Sequence, residues 1–265
     1  MTDVIPPILP AEAAAINRDR RLPPLAAFGW LAAGWRDLWT APQLSLAYGI
    51  GVTLVVALSV FGIVLLGWDH ILLPALSGLL IVGPTLAIGL YEKSRRIAAG
   101  EPLSLRAMIW PDHGTGYHIL FVGTVLLMLA LLWLRAAVLL YALFFGYRPF
   151  PGLNHIVETL FGTPEGWGLL IVGSAVGGLF AALGFAISAF SLPKLLDRRL
   201  DAFTAMGLSM SYTWHNLPVM LVFGAIVLVL TLLGLATGFL GFILIFPLLG
   251  HSTWHAYVAI RDVEP

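Results

Sequence analysis

The chain reads as an all-α, polytopic membrane protein: a bundle of six transmembrane helices. Three observations predict this class. The 265 residues are 59% hydrophobic and only 11% charged, with a mean hydropathy of +0.93, whereas a soluble domain carries about 25% charged residues. The apolar residues gather into uncharged runs of about 20, the length that crosses a bilayer as a helix. The basic residues between those runs fall on alternate connections. Such a chain cannot cover a water-facing surface, which excludes an ordinary soluble enzyme, a disordered protein, a coiled coil and a nucleic-acid binder. The absence of cysteine excludes disulfides, thiolate nucleophiles and Cys-ligated metal.

The first stretch, Met1 to Leu22, mixes Pro, Asp, Glu and Arg. It lacks a basic start followed by an apolar run, so no cleaved signal peptide is expected, and residues 1–24 read as a disordered cytoplasmic arm. A single transmembrane domain follows over residues 25–260, with residues 261–265 as a cytoplasmic tail. Leu44 to Gly67 holds no charge and forms the first span. Asp69 and His70 interrupt, and Ile71 to Tyr91 forms the second. The third, His118 to Tyr147, carries a single Arg135. Trp167 to Pro193 forms the fourth, and its Gly173-x-x-x-Gly177 spacing permits close helix approach within the bundle or at a dimer contact. Leu217 to Ile260 is too long for one span. A tight turn at Gly234-Leu-Ala-Thr-Gly238 divides it into two, roughly 217–234 and 239–260.

Lys and Arg accumulate on the cytoplasmic side of short loops. Arg18, Arg20, Arg21 and Arg36 precede span one; Lys93, Arg95, Arg96 and Arg106 separate spans two and three; Lys194, Arg198 and Arg199 separate four and five; Arg261 follows six. Only Arg135 and Arg148 lie elsewhere. Both termini are therefore expected in the cytoplasm, and an even number of spans follows.

The flanks of the hairpins also repeat. Phe28, Leu31, Trp35 and Trp39 precede span one at the same offsets at which Phe203, Met206, Met210 and Trp214 precede span five. Each set makes one apolar stripe on a helix. Gly78, Pro84 and Tyr91 recur at equal separations as Gly241, Pro247 and Trp254. The middle section repeats the pattern more loosely. Three parallel units are expected, about 25–91, 102–193 and 200–260, each an amphipathic helix followed by a transmembrane hairpin. This differs from the inverted repeats of many transporters. The amphipathic helices either lie in the headgroup layer or close the bundle ends as lids.

Few residues suggest chemistry. His251 and His255, at i and i+4, share a helical face as metal ligands would. Two ligands do not close a zinc site, a haem would need a deep apolar pocket, and hydrogen bonding to loops or headgroups is the plainer reading. No cofactor is expected. Asp69, His70, His155, Glu158 and Glu165 fall on the non-cytoplasmic side, where they would form either a metal or proton site or ordinary polar loops. Arg135 is an intramembrane charge, a functional hypothesis by default, and its alternative is snorkelling to the outer interface. Lys93, Arg95, Arg96, Lys194, Arg198 and Arg199 make juxtamembrane clusters that face anionic lipid, face a partner, or simply set topology. No Ser/His/Asp set, paired catalytic carboxylates or phosphate loop assembles, so an enzyme is not expected.

Four segments carry a family resemblance: Trp30-Leu-Ala-Ala-Gly-Trp-Arg-Asp37, Gly89-Leu-Tyr-Glu-Lys-Ser-Arg-Arg96, Ala186-Ile-Ser-Ala-Phe-Ser-Leu-Pro-Lys-Leu-Leu-Asp197 and Pro247-Leu-Leu-Gly-His-Ser-Thr-Trp-His-Ala-Tyr257. From about residue 28 to 258 the chain resembles a family of bacterial integral membrane proteins catalogued as a domain of unknown function. The resemblance implies a multi-pass protein of the inner membrane and no established activity. Three functions compete: a non-catalytic accessory or assembly subunit of a membrane complex, whose partners are the bilayer and other subunits; a small-solute transporter or channel, with Ser59, Ser77, Thr85, Thr124, Ser174, Ser188 and Ser191 as the available lining; and a haem- or metal-binding protein using His251 and His255.

Overall fold

A computed structural model describes residues 20–111, 116–146, 148 and 150–261. Most of the expected arm, including Arg18, and residues 262–265 of the tail lie outside the described residues. Among those described there is no strand. The helices are α1 (Ala26–Trp39), α2 (Pro42–Leu65), α3 (Leu72–Leu86), α4 (Ile88–Ala99), α5 (Leu105–Ile109), α6 (Gly116–Phe145), α7 (Ile156–Gly162), α8 (Pro164–Ser188), α9 (Ser191–Asp197), α10 (Ala202–His215), α11 (Leu217–Ala236) and α12 (Phe242–Ile260).

Six stretches are long and apolar enough to span a membrane: α2, the run Asp69–Ala99, α6, the run Pro164–Asp197, α11 and α12. Their ends follow from local chemistry. Pro42 and Pro164 open α2 and α8, where a missing N–H costs nothing. The side chains of Ser104, Thr163 and Asp201 accept the N–H groups of Ala107, Gly166 and Thr204 at the starts of α5, α8 and α10. Gly67 and Gly100 adopt the left-handed conformation beyond the ends of α2 and α4, the usual glycine stop. The run Asp69–Ala99 breaks at Ala87, three residues after Pro84. The run Pro164–Asp197 breaks at Ala189 and Phe190. In both, the short second helix (α4, α9) lies at the face that carries the chain ends.

That face, the terminal face, is fixed by Arg20. Its guanidinium donates to the carbonyls of Ile260 and Arg261 at 3.1 and 2.6 Å, so the two ends of the described chain meet. The α7 helix lies at the opposite, far face. Two groups of helices stand side by side: α12 packs on α1, α2 and α11, while α3, α6 and α8 pack on one another. Packing is densest at the terminal face, where Trp30, Tyr91, Phe190, Tyr212, Trp254 and Tyr257 are buried together. Elsewhere large apolar side chains point outward, as Leu58 and Phe61 do on α2 and Leu131 and Leu143 on α6. Lipid is as apolar as leucine, so these faces need no cover.

The amphipathic helices both pack and expose. α1 buries Ala27, Trp30, Ala33 and Leu38 and exposes Phe28, Trp35 and Trp39; α10 buries Ala205 and Tyr212 and exposes Phe203, Met210 and Trp214. The short α5 between the second and third spans has only five residues and is followed by an exposed Trp110.

Candidate functional site

Between α1, α2, α4 and α12, at the terminal face, six polar side chains meet: Asp37, Ser45, Lys93, Ser94, His251 and His255. Ser45, Lys93 and His251 are wholly buried, and Ser94 and Asp37 nearly so. Lys93 and Ser94 are neighbours on α4 and point apart by a helical step. Lys93 reaches the α1–α2 connection, where its ammonium donates to Ser45 Oγ at 2.6 Å and to the carbonyls of Asp37 and Ala41 at 3.1 and 3.3 Å. Asp37 lies in the last turn of α1, whose free carbonyls carry the negative end of the helix dipole and favour a cation. Ala41 adopts a left-handed conformation (φ 54°), which costs an alanine about 1–2 kcal/mol; its carbonyl is one of the two that, with Ser45 Oγ, hold Lys93.

Ser94 faces α12. Its hydroxyl donates to Asp37 Oδ2 at 2.6 Å and lies 2.8 Å from His251 Nδ1, while His251 Nε2 lies 2.9 Å from Ser45 Oγ. Proton positions are assigned from this network. An ammonium only donates and a carboxylate only accepts. Ser45 accepts from Lys93 and so gives its own proton to His251 Nε2. His251 is then neutral, with its proton on Nδ1 directed at Ser94, and Ser94 donates to Asp37. Every bond runs one way, from the Lys93 ammonium to the Asp37 carboxylate. His255, one turn beyond His251 and partly exposed, donates from Nε2 to the same Asp37 oxygen at 2.8 Å. Burial pushes the Asp37 carboxyl up, but the hydrogen bonds from His255 and Ser94 outweigh it and hold the group below the usual carboxylate range.

Such a chain can do two things. It locks four elements together through satisfied buried polar groups. It can also relay one proton. A single shift along each bond converts ammonium and carboxylate into amine and acid and moves His251 to its other tautomer. His251 spends both ring nitrogens on serines, and among the described residues no three His, Asp or Glu side chains are placed to hold a metal.

The other basic residues have different fates. The side chain of Glu92 is fully buried and receives both Arg95 (2.8 and 3.0 Å) and Arg96 (2.6 Å). Arg95 and Arg96 also reach Glu101, which the left-handed Gly100 turns back toward them. Lys194 is buried, donating to the Tyr212 hydroxyl at 2.9 Å and lying over its ring. Asp197 accepts from Tyr257 and Arg261, tying α9 to α12. Of the six juxtamembrane cations expected to face lipid or a partner, only Arg198 and Arg199 are exposed; Lys93 and Lys194 point inward.

Arg135 is exposed beside Leu131, Leu132 and Leu139 on the outer side of α6. The indole of Trp133 donates to the Pro74 carbonyl (3.0 Å) and Ser77 Oγ (2.9 Å), which sets that level at the first turns of α3. Arg135, half a turn further, is level with the far end of α3. The far-face polar residues do not converge. His155 and Glu158 stand 4.0 Å apart at the surface, and Glu165 lies in the first turn of α8. Asp69 and His70 lie instead at the rim of a cavity of about 680 Å³ between α3, α6, α8 and α11. Of the seven hydroxyls considered for a solute path, Ser77 and Ser174 line it. Ser59, Thr85, Thr124 and Ser188 bond to carbonyls of their own helices, and Ser191 is buried without a partner.

Asp37, Ser45 and Ser94 carry no functional signal in the sequence. The one available hint is Asp37 itself, the single acid, beside Arg36, in the apolar stripe of Trp30 to Trp39.

No curated protein and no solved structure matches the chain. A family match covers two of the four segments that carry the resemblance, Gly89 to Arg96 and Ala186 to Asp197, and so holds Lys93, Ser94, Lys194 and Asp197, while the Pro247 to Tyr257 run lies beyond it. Residues 72–197, from the start of α3 to the end of α9, match the family described as a predicted integral membrane protein of unknown function, DUF2189.

Proposed function

We propose that the protein is a multi-pass component of the bacterial inner membrane, both ends cytoplasmic, that serves as a non-catalytic accessory or assembly subunit of a larger membrane complex. The observation that carries this reading is the surface of the terminal face. Phe28, Trp35, Trp39, Ile109, Trp110, Phe203, Met210 and Trp214 are all exposed there, above the bonded chain from Lys93 to Asp37. Contiguous exposed apolar side chains with a polar surround mark contact with a protein or with the membrane interface. The orientation rests on the basic residues, which gather at that face. The three parallel units, each a helix preceding a hairpin, belong to the same proposal and give the face its three aromatic ridges.

The test is recovery from native membranes in mild detergent. The 28.6 kDa chain is expected in a larger assembly with a stoichiometric partner, released by Trp35→Ser with Trp214→Ser. Migration as a lone monomer in every mild detergent would overturn the reading. A second reading, transport of an apolar solute, draws on the cavity beside α11. It predicts uptake or efflux of a hydrophobic compound that depends on the protein, with no partner required.

A further inference from the structure

The cavity between α3, α6, α8 and α11 has a definite shape. Along α8 its wall runs through Leu169, Gly173, Gly177, Ala181 and Phe185, one residue per turn, a length of about 24 Å at 1.5 Å per residue. It begins at the far face, at Asp69 and His70, and ends at Phe185 and Met220 near the terminal-face ends of α8 and α11. Leu73, Leu221 and Leu228, which line it, are also exposed, so the slot opens sideways to the surrounding lipid. The wall is apolar except near the rim and at Ser174. Ser77 is already engaged with Pro74 and Trp133. Asp69 is not: its Oδ1 is buried and has no hydrogen-bond partner, a state that costs about 1–3 kcal/mol, more when charged.

An apolar slot in a bilayer is filled by oil, because an empty one forfeits its dispersion contacts and water gains no partners in it. One extended hydrocarbon chain fits, and the Asp69 carboxylate at the rim, with Oδ1 buried and unpartnered, turns its accessible Oδ2 to a cationic donor at the chain's end. We infer that the slot binds one acyl chain of an ammonium-bearing phospholipid, with the head-group ammonium on Asp69 and the exposed His70 beside it. The inference is independent of the accessory-subunit reading and is tested without any partner.

Gly173 of α8 and Gly224 of α11 both line the slot, Gly224 nearer its terminal end. A Cβ at Gly173 meets only Leu169, at 3.8 Å, and one at Gly224 meets nothing within 4 Å. Leucine at either position therefore fills the slot without moving backbone. The full chain, purified in detergent, is exchanged against equimolar phosphatidylethanolamine and phosphatidylglycerol, and retained lipid is counted by mass spectrometry. Wild type is expected to keep about one phosphatidylethanolamine, about tenfold over phosphatidylglycerol, the value of one charged hydrogen bond. Asp69→Asn keeps a phospholipid but loses the preference. Gly173→Leu and Gly224→Leu, each eluting as wild type does, lose retention itself. Wild type without bound phospholipid, leucine variants that retain as much as wild type, or a preference unchanged in Asp69→Asn would each overturn the inference.

Discussion

Asp37 takes two hydrogen bonds on a single oxygen, from Ser94 and His255, and this gives the polar chain a measurable pH response. A carboxyl whose folded pKa lies below its unfolded value adds stability above that value and loses it as pH falls through the folded one. The Asp37 carboxyl is held below its ordinary 3.8, so its contribution is complete near neutrality and disappears on acidification below about pH 4. Asp37→Asn keeps an acceptor for Ser94 but removes the charge. It is expected to lower stability at pH 7 by about 1–3 kcal/mol and to flatten the decline between pH 5 and 3, read as thermal midpoints in detergent. Parallel wild-type and variant curves would show that Asp37 contributes nothing charge-dependent. At this scale the sequence is mute about most of the chain. Lys93 stands out as a juxtamembrane cation, but its direction depends on which side of α4 meets α1. Ser45, one turn inside a span, looks like any other small residue in a membrane helix.

Helix placement is far more legible, because span length and charge are set by the bilayer and leave long uninterrupted runs. What the runs do not reveal is the consequence of each proline. Pro84 and Pro247 occupy matching places in the sequence, yet the helix breaks after Pro84 and continues through Pro247. A proline lacks the N–H that the carbonyl four residues back would receive; for Pro247 that carbonyl belongs to Ile243. The structure lays Gly49 of α2 directly against it, so close that a Cβ there would overlap the Ile243 oxygen and press on Pro247 Cγ at 2.9 Å. A Cα–H contact of this kind partly satisfies the carbonyl, and α12 continues through Pro247. Gly49→Ala must separate the helices and is expected to cost about 1–3 kcal/mol. Gly51→Ala, two residues away with nothing within 4 Å, is expected to stabilise by about 0.5–1 kcal/mol, since alanine suits a helix better. Equal effects of the two substitutions would remove the close approach from the account of the α2–α12 contact.

For the molecule as a whole, burial is uneven. Half of the apolar window of α12 is buried, against 6% of that in the Pro164–Asp197 run, so α12 is enclosed by its neighbours while α8 leans mainly on lipid. That asymmetry was hidden in the sequence, where all spans are apolar all round and carry no periodicity to separate an inner face from an outer one. Six crossings and their parity were legible, since charge counts between runs do not depend on packing. The orientation they imply can be tested directly, because the chain has no cysteine and any introduced thiol is unique. Glu158, 86% exposed at the far face, and Arg199, exposed at the terminal face, report on opposite sides. With cytoplasmic termini, an impermeant maleimide labels Glu158→Cys on intact cells and labels Arg199→Cys only after permeabilisation. The reverse pattern would invert the protein in the membrane and put the Asp69 rim of the lipid slot in the inner leaflet. Labelling of both from outside would contradict the crossing between them, since the Pro164–Asp197 run is the one span that separates the two sites.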